Sequence, residues 1–230
     1  MIKLILKIFP RTLLIKFSFI FQPLLGLLLR GDKFTDPIDG KSFRKFLSYG
    51  YNESRKNALS PSTLSLERHR LLWLYLKNET TLFEKKIKLL HFAPEQAFYR
   101  RFKKLSNIQY DTIDINSPLA KIKADICDLP INDNSYDFII SSNMIHHVPF
   151  PSKFFNEMKR ILKPGGKLII QEINCSLVMR YLLKLMRHEG YDFEIDVFNH
   201  NLICTDPHDL WSANCAIPNL LFDDDIKFEN

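Results

Sequence analysis

The sequence contains no Cys-x-x-Cys pair; its four cysteines, Cys127, Cys175, Cys204 and Cys215, stand far apart. Closely spaced thiolates build zinc knuckles and dense, even-numbered cysteines build disulfide scaffolds, so neither is expected, and a reducing, cytoplasmic setting fits best. An apolar run long enough to span a bilayer is also missing. Within the apolar N-terminal segment the longest charge-free stretch, Phe17 to Leu29, has 13 residues and includes Gln22 and Pro23, whereas a spanning helix takes about 20. No small-residue cleavage site follows Leu29, which argues against a removable signal peptide. Acidic residues are absent from positions 1–30, where Lys3, Lys7, Arg11, Lys16 and Arg30 supply the only charges.

What is present describes a globular chain. Its 230 residues are 46% hydrophobic and 25% charged, enough for one well-buried core with appendages. The net charge of +6 and pI near 9.0 point toward an anionic partner, but an excess spread this thinly is the ordinary character of a solvated surface. The basic, strongly apolar residues 1–31 read as an interface-seeking helix, or a helical pair broken at Pro10 and Pro23. Such a segment suits an anionic membrane surface, peripheral to an inner membrane; packing on the rest of the chain as a lid is the alternative.

Residues 32–85 form a connector module. DPIDGKSF and SYGYN gather Gly, Pro, Asp and Ser, as turns with short extended pieces do. LSLERHRLLWLYLK then places apolar residues at helical spacing, predicting an amphipathic helix over 64–77. From Lys86 to Glu172 short apolar runs alternate with helical stretches, the pattern of βαβ units on a parallel sheet. KIKLLHF, QYDTIDI, KIKADI, SYDFIISS and KLIIQEI are the expected strands, and PSKFFNEMKRIL is a helix that Lys163-Pro164-Gly165-Gly166 ends before the chain reverses into the last strand. Right-handed crossovers set all strand C-termini on one edge, where open α/β sheets bind ligands.

The stretch ADICDLPINDNSYDFIISSNMIHHV, followed by FFNEMKRILKPGGKLIIQE, resembles the core of the class I, type 11-like methyltransferases. An acid ends the second strand, then come an Asp-Ile-x-Asp-Leu-Pro turn, a Tyr-Asp-Phe-Ile-Ile strand, a His-His-Val turn and Leu-Lys-Pro-Gly-Gly, in the family's order. The resemblance implies an α/β, Rossmann-like sheet over residues 86–230, with S-adenosylmethionine as cofactor. Only about 60 residues follow the fifth strand and no convincing strand pair lies among them, so the sheet is expected to be shortened at its C-terminal end, with the N-terminal helix as an extension.

On this resemblance, Asp114 accepts hydrogen bonds from the ribose hydroxyls, and Asp125 with the amide of Ile126 meets the adenine; turn chemistry is the competing role for both acids. Ser142 and Asn143 are candidates for the cofactor's amino-acid end. The first motif departs from the usual glycine-rich pattern: His91-Phe92-Ala93-Pro94-Glu95-Gln96-Ala97 stands there. Ala93 keeps the first position small, Pro94 fixes φ, and Glu95 sets a carboxylate where glycine is usual, suited to the cofactor's amino group or sulfonium. Bacterial methyltransferase-like proteins with Leu-His-x-Ala-Pro-Glu resemble this stretch, which favours a variant pocket over a decayed one. Those proteins also resemble DPIDGKSFRKFL and NALSPSTLSLERHRLLWLYL, and some carry two Cys-x-x-Cys pairs where Asp36, Asp39, Ser60 and Thr63 stand here. As a set these four suit zinc poorly, and no metal is expected.

After the last strand, MRHEGYDF and DPHDLWSANCAIPNLLF resemble segments over the active site of other type 11-like methyltransferases, making His188, Glu189, Trp211 and Asn214 candidates for the substrate pocket. His146 and His147 follow the fourth strand at the cofactor edge, where one could take a proton from an acceptor or orient it; helix capping is the plainer role. The expected activity is methyl transfer to a small-molecule or glycoconjugate acceptor, with a non-catalytic methyltransferase-like binding protein as the alternative. Nucleic acid is disfavoured as partner: no Asn/Asp-Pro-Pro-Tyr/Trp motif occurs, and aromatics are not interleaved with basic clusters.

Overall fold

A computed structural model describes residues 11–50, 54–186, 189–199 and 212–223. Residues 1–10, His188, Trp211 and the acidic tail from position 224 lie outside them. The chain divides into two compact units, one made of residues 1–86, 94–109 and 117–119, the other of 87–93, 110–116 and 120–230.

The second unit holds the main sheet. Strands β5 (Ile87–Phe92), β6 (Ile108–Ile113), β7 (Tyr136–Ser142) and β8 (Leu162–Gln171) lie in the order β6-β5-β7-β8. Parallel pairing sets Leu90 opposite Ile139 and Ile139 opposite Leu168. The fold is thus Rossmann-like, as expected, with the chain order reversing between β5 and β7. Sheets of this kind bury both faces, which is why β7 reads as an almost unbroken apolar run. Helix α4 (Pro151–Ile161) starts on Pro151 and buries Phe154, Met158 and Ile161, spaced to share one face. They join Leu90, Phe92 and Ile139 in the core.

Two local readings need correction. KIKADI contributes a single parallel bridge, Ile113 to Ile122, rather than a strand; Lys121, Lys123 and Asp125 are exposed, and only the residues between them turn inward. The Lys-Pro-Gly-Gly turn lies within β8 as a bulge: Leu162 pairs with Tyr136 and Lys167 with Phe138. Gly165 has φ +76°, and a Cβ on Gly166 would sit 2.9 Å from the Lys163 carbonyl oxygen, so the bulge needs both glycines. Among the described residues no strand follows β8.

The first unit begins with helix α1 (Arg11–Leu28), which runs through Pro23 rather than breaking there. Two hairpins follow, β1 (Arg30–Thr35) with β2 (Ser42–Phe43), and β3 (Leu47–Tyr49) with β4 (Arg55–Leu59). Helix α2 (Glu67–Glu79) buries His69, Leu72, Trp73 and Leu76, the amphipathic helix expected from the spacing. Trp73 stacks near Phe98 and Phe102 of helix α3 (Gln96–Phe102). The inner face of α1 is polar: buried Gln22 accepts a hydrogen bond from Arg100, Ser18 is bonded to Gln96, and the Arg100 guanidinium lies 4.3 Å from the Phe19 ring centre. Its outer face exposes Phe17, Ile20, Phe21, Leu24, Leu27 and Leu28.

A buried carboxylate joins the turns at positions 36–39 and 60–63. Asp36 is fully buried; its Oδ2 accepts hydrogen bonds from Thr63 Oγ1 (2.5 Å) and Ser65 Oγ (3.1 Å), and its Oδ1 from the Ile38 amide (2.9 Å). Arg70 donates to the Ala58 and Ser65 carbonyls; burial lowers its pKa, opposed by the Asp36 charge. Asp36→Ala leaves two hydroxyls and an amide without their acceptor beside a half-buried cation, and should cost the first unit about 3–5 kcal/mol. Urea unfolding of wild type and variant measures this; a loss under about 1 kcal/mol would show that the carboxylate does not hold the turns together.

Candidate functional site

The C-terminal ends of the strands form a continuous rim in the second unit. The Asp114 amide donates to the Ile122 carbonyl (3.2 Å), the Ala93 amide to Ile113 (3.0 Å) and the Asn143 amide to Gln171 (2.8 Å). These bonds bring the ends of the bridge segment, β6, β5, β7 and β8 level. In doubly wound sheets the ligand crevice opens outside these ends, where the strand order reverses. Ala93 and Asn143, at that reversal, have φ +44° and +48°. Residues with a Cβ are strained in that left-handed conformation, and such strain concentrates at binding sites. The first motif therefore retains the backbone shape that glycine usually supplies, without the glycine.

Two acids stand on the same rim. Asp114 Oδ1 accepts the Asn116 amide at 2.7 Å, and Asp125 Oδ1 accepts the Cys127 amide at 2.9 Å. Each carboxylate is thus oriented by its own turn, the chemistry named as the competing role. Ile126 packs partly buried against the core. Burial, with the Asp125 charge, pushes the Cys127 thiol up to about 12, which removes it as a nucleophile at neutral pH.

His91 lies buried within β5, opposite Ile140, with Nδ1 2.8 Å from the Tyr110 hydroxyl. Ser142, the last residue of β7, donates to the Gln171 side-chain oxygen at 3.2 Å. Glu95 belongs to the first unit. There the Leu66 amide donates to His69 Nδ1, which leaves that ring's proton on Nε2, and Nε2 lies 3.1 Å from Glu95 Oε1.

The two histidines occupy a 3-10 turn, Ile145–His147, just past β7. Glu172, the residue after β8, was not singled out by the sequence reading, yet it organises this turn. Its Oε1 accepts the Met144 and Ile145 amides and its Oε2 meets His146 Nδ1, each at 2.5 Å. The acid ending QEI was visible, but its partner lies 26 residues earlier. His147 Nδ1 donates to the Ser212 carbonyl at 2.9 Å, and burial, with neighbouring His146, holds its pKa below the usual histidine value. Glu189 Oε2 lies 3.8 Å from His146 Nε2 and accepts from the Cys215 thiol at 3.5 Å. Asn214 works as a clamp: its amide donates to the His146 carbonyl, its Oδ1 accepts from Asp192 and Ala216, and its Nδ2 donates to the Asp192 carbonyl.

Comparison with known proteins fits this geometry. The family model described as methyltransferase domain matches residues 90–170. Residues 90–170 are thus similar to a methyltransferase domain, and S-adenosylmethionine is the cofactor that this similarity supports. An uncharacterised protein of Methanocaldococcus jannaschii is 36% identical over 114 residues, covering 44% of this chain and 50% of that one. The demethylmenaquinone methyltransferase of Clavibacter sepedonicus is 40% identical over 82 residues, 36% of this chain and 31% of that one. The chain thus spans half or less of the length of these curated relatives. A solved structure of an S-adenosylmethionine-dependent methyltransferase from Aquifex aeolicus is 20% identical, with a TM-score of 0.36, covering 45% of this chain and 62% of that one.

The residues present suit the nucleoside half of that cofactor. Ribose hydroxyls and the adenine amino group donate hydrogen bonds, and Asp114 and Asp125 are acceptors held in place by their turns. The methyltransferase domain can therefore keep nucleoside recognition while its first motif differs from the glycine-rich form.

Proposed function

We propose that the protein transfers the methyl group of S-adenosylmethionine to a small-molecule or glycoconjugate acceptor. The observation that carries this reading is the rim on which Asp125, Asp114, Ala93 and Asn143 stand in line, with the His146–Glu172 pair at its far end. When bound, the cofactor supplies a methyl group already activated on sulfonium, so positioning the acceptor accounts for most of the acceleration. Asp114 and Asp125 hold ribose and adenine. Ser142 and Asn143 meet the amino-acid end. His146 faces the acceptor: with Nδ1–H given to Glu172, Nε2 carries the lone pair that takes a hydroxyl proton, and the Glu172 carboxylate stabilises the resulting imidazolium. Glu189 lines the acceptor side.

The second reading, a methyltransferase-like binding protein without turnover, is favoured by Pro94 and Glu95 in the first motif and by the Glu95 contact with His69. Calorimetry with S-adenosylmethionine and with adenosine addresses both. Wild type should bind each, and Asp114→Ala should weaken both at least tenfold, since each charge-assisted hydrogen bond is worth about 1.5–3 kcal/mol. Glu95→Gln should weaken the cofactor less and adenosine hardly at all. No heat with the cofactor near millimolar concentration would overturn cofactor binding; normal binding by Asp114→Ala would overturn the assignment of the rim.

We also propose that the first unit rests on an anionic membrane surface. No helix among the described residues is long and apolar enough to cross a membrane, but α1 turns its polar side inward and six large apolar side chains outward. A groove of about 920 Å³ in this unit is lined by Arg30, Lys41, Arg100, Arg101 and Lys104, besides the inner side of α1. Apolar insertion beside clustered cations is how interfacial helices bind acidic lipid. In co-sedimentation the full chain should pellet with phosphatidylserine vesicles and release at high salt, while Phe21→Glu with Leu24→Glu should stay in solution. Equal partitioning of the two proteins would refute the attachment.

A further inference from the structure

We propose that His146, His147 and Glu189 form a binding site for one divalent transition-metal ion. Each offers one ligand atom, and the three atoms lie within 4.8 Å of one another. Around a tetrahedral ion with bonds of about 2.1 Å, ligand atoms are roughly 3.4 Å apart. The widest pair therefore has to close by at most roughly 1.4 Å. His146 Nε2 to Glu189 Oε2, at 3.8 Å, is too long for a hydrogen bond and short enough for two ligands of one ion.

The arrangement behind these atoms is that of a prepared metal site. Ring nitrogens that bind metal have their partner nitrogen held by a carboxylate or carbonyl, which fixes the tautomer and aims the ring. Both histidines meet this condition. Glu172 takes the His146 Nδ1 proton, and is itself held by the Met144 and Ile145 amides; the Ser212 carbonyl, which can only accept, takes that of His147. With Nδ1 held in this way, either ring would coordinate through Nε2. The carboxylate is placed as firmly. Gly190 pairs with Asn214, the Cys215 amide donates to the Gly190 carbonyl, and the Cys215 thiol donates to Glu189 Oε2. The His146 and Glu172 side chains are 6% and 4% exposed but that of Glu189 is 23% exposed, so the cluster is rigid on its inner side and reachable from solvent.

Two imidazoles and one carboxylate suit Zn²⁺, Fe²⁺, Co²⁺ or Mn²⁺ and not the all-oxygen preferences of Ca²⁺ and Mg²⁺. Three protein ligands leave at least one position for a water or for an acidic oxygen of a bound molecule. The site lies at the β7 and β8 end of the rim, so the ligand class it admits is an oxygen-bearing acceptor held through the ion. With the ion in place, His146 coordinates, and the ion rather than the imidazole lowers the pKa of that oxygen.

Cobalt is the probe, because its visible absorption reports nitrogen and oxygen ligands in a low-coordinate site. The chelator-treated full chain, titrated with Co²⁺ alone, should take up one ion per chain with a band stronger than that of the aqueous ion, and Zn²⁺ should displace it. Glu189→Gln and His147→Gln should each weaken uptake at least tenfold, and Glu172→Gln, which acts by holding His146 and its turn, about tenfold to a hundredfold. Two ligand variants are used so that misfolding of one leaves the other to decide. Wild type with no band beyond the aqueous ion, or unchanged affinity in a folded ligand variant, would overturn the site. The readout needs neither cofactor nor acceptor, so its outcome is independent of the methyl-transfer reading.

Discussion

Everything proposed for the second unit depends on the short backbone hydrogen bonds that tie each strand end to its neighbour: Asp114 to Ile122, Ala93 to Ile113, and Asn143 to Gln171. They stop the strands at one level, and residues up to 78 positions apart in the chain, from Ala93 to Gln171, come to stand on one rim. Because Ala93 and Asn143 accept a left-handed backbone to make these bonds, the sheet core must hold them there. The buried pairing of β5 with β7 and β7 with β8 provides that restraint.

Much of this was legible in the sequence because it is carried by local pattern. Apolar runs gave β5, β6, β7 and β8, and the spacing of Phe154, Met158 and Ile161 gave α4. What was not legible depended on contacts distant in the chain. Glu172 looked like the end of a strand, and only the fold shows that it binds the His146 turn. Lys163 to Gly166 looked like a reversal because prolines and glycines end helices; the pairing of Leu162 with Tyr136 turns the same residues into a bulge. Pro23 was expected to break α1, but one lost amide bond is tolerable where the helix is held by Gln22, Ser18 and Phe19 against α3. Asn214 was read as a pocket residue, and its side chain is engaged by backbone groups that fix the Glu189 segment.

The first unit shows a different economy of interactions. The two turns of this unit are secured by hydrogen bonds from Thr63 and Ser65 to one buried carboxylate, Asp36. Glu95, though part of the variant first motif, lies against His69 in this unit.

The central claim is that the rim is a nucleoside site. A crystal structure of the chain grown with S-adenosylmethionine tests it most directly. The account predicts ribose hydroxyl oxygens about 2.7 Å from the Asp114 carboxylate and the adenine amino group within hydrogen-bond distance of Asp125. A nucleoside bound elsewhere, as in the basic groove beside α1, with Asp114 and Asp125 left facing solvent, would contradict it.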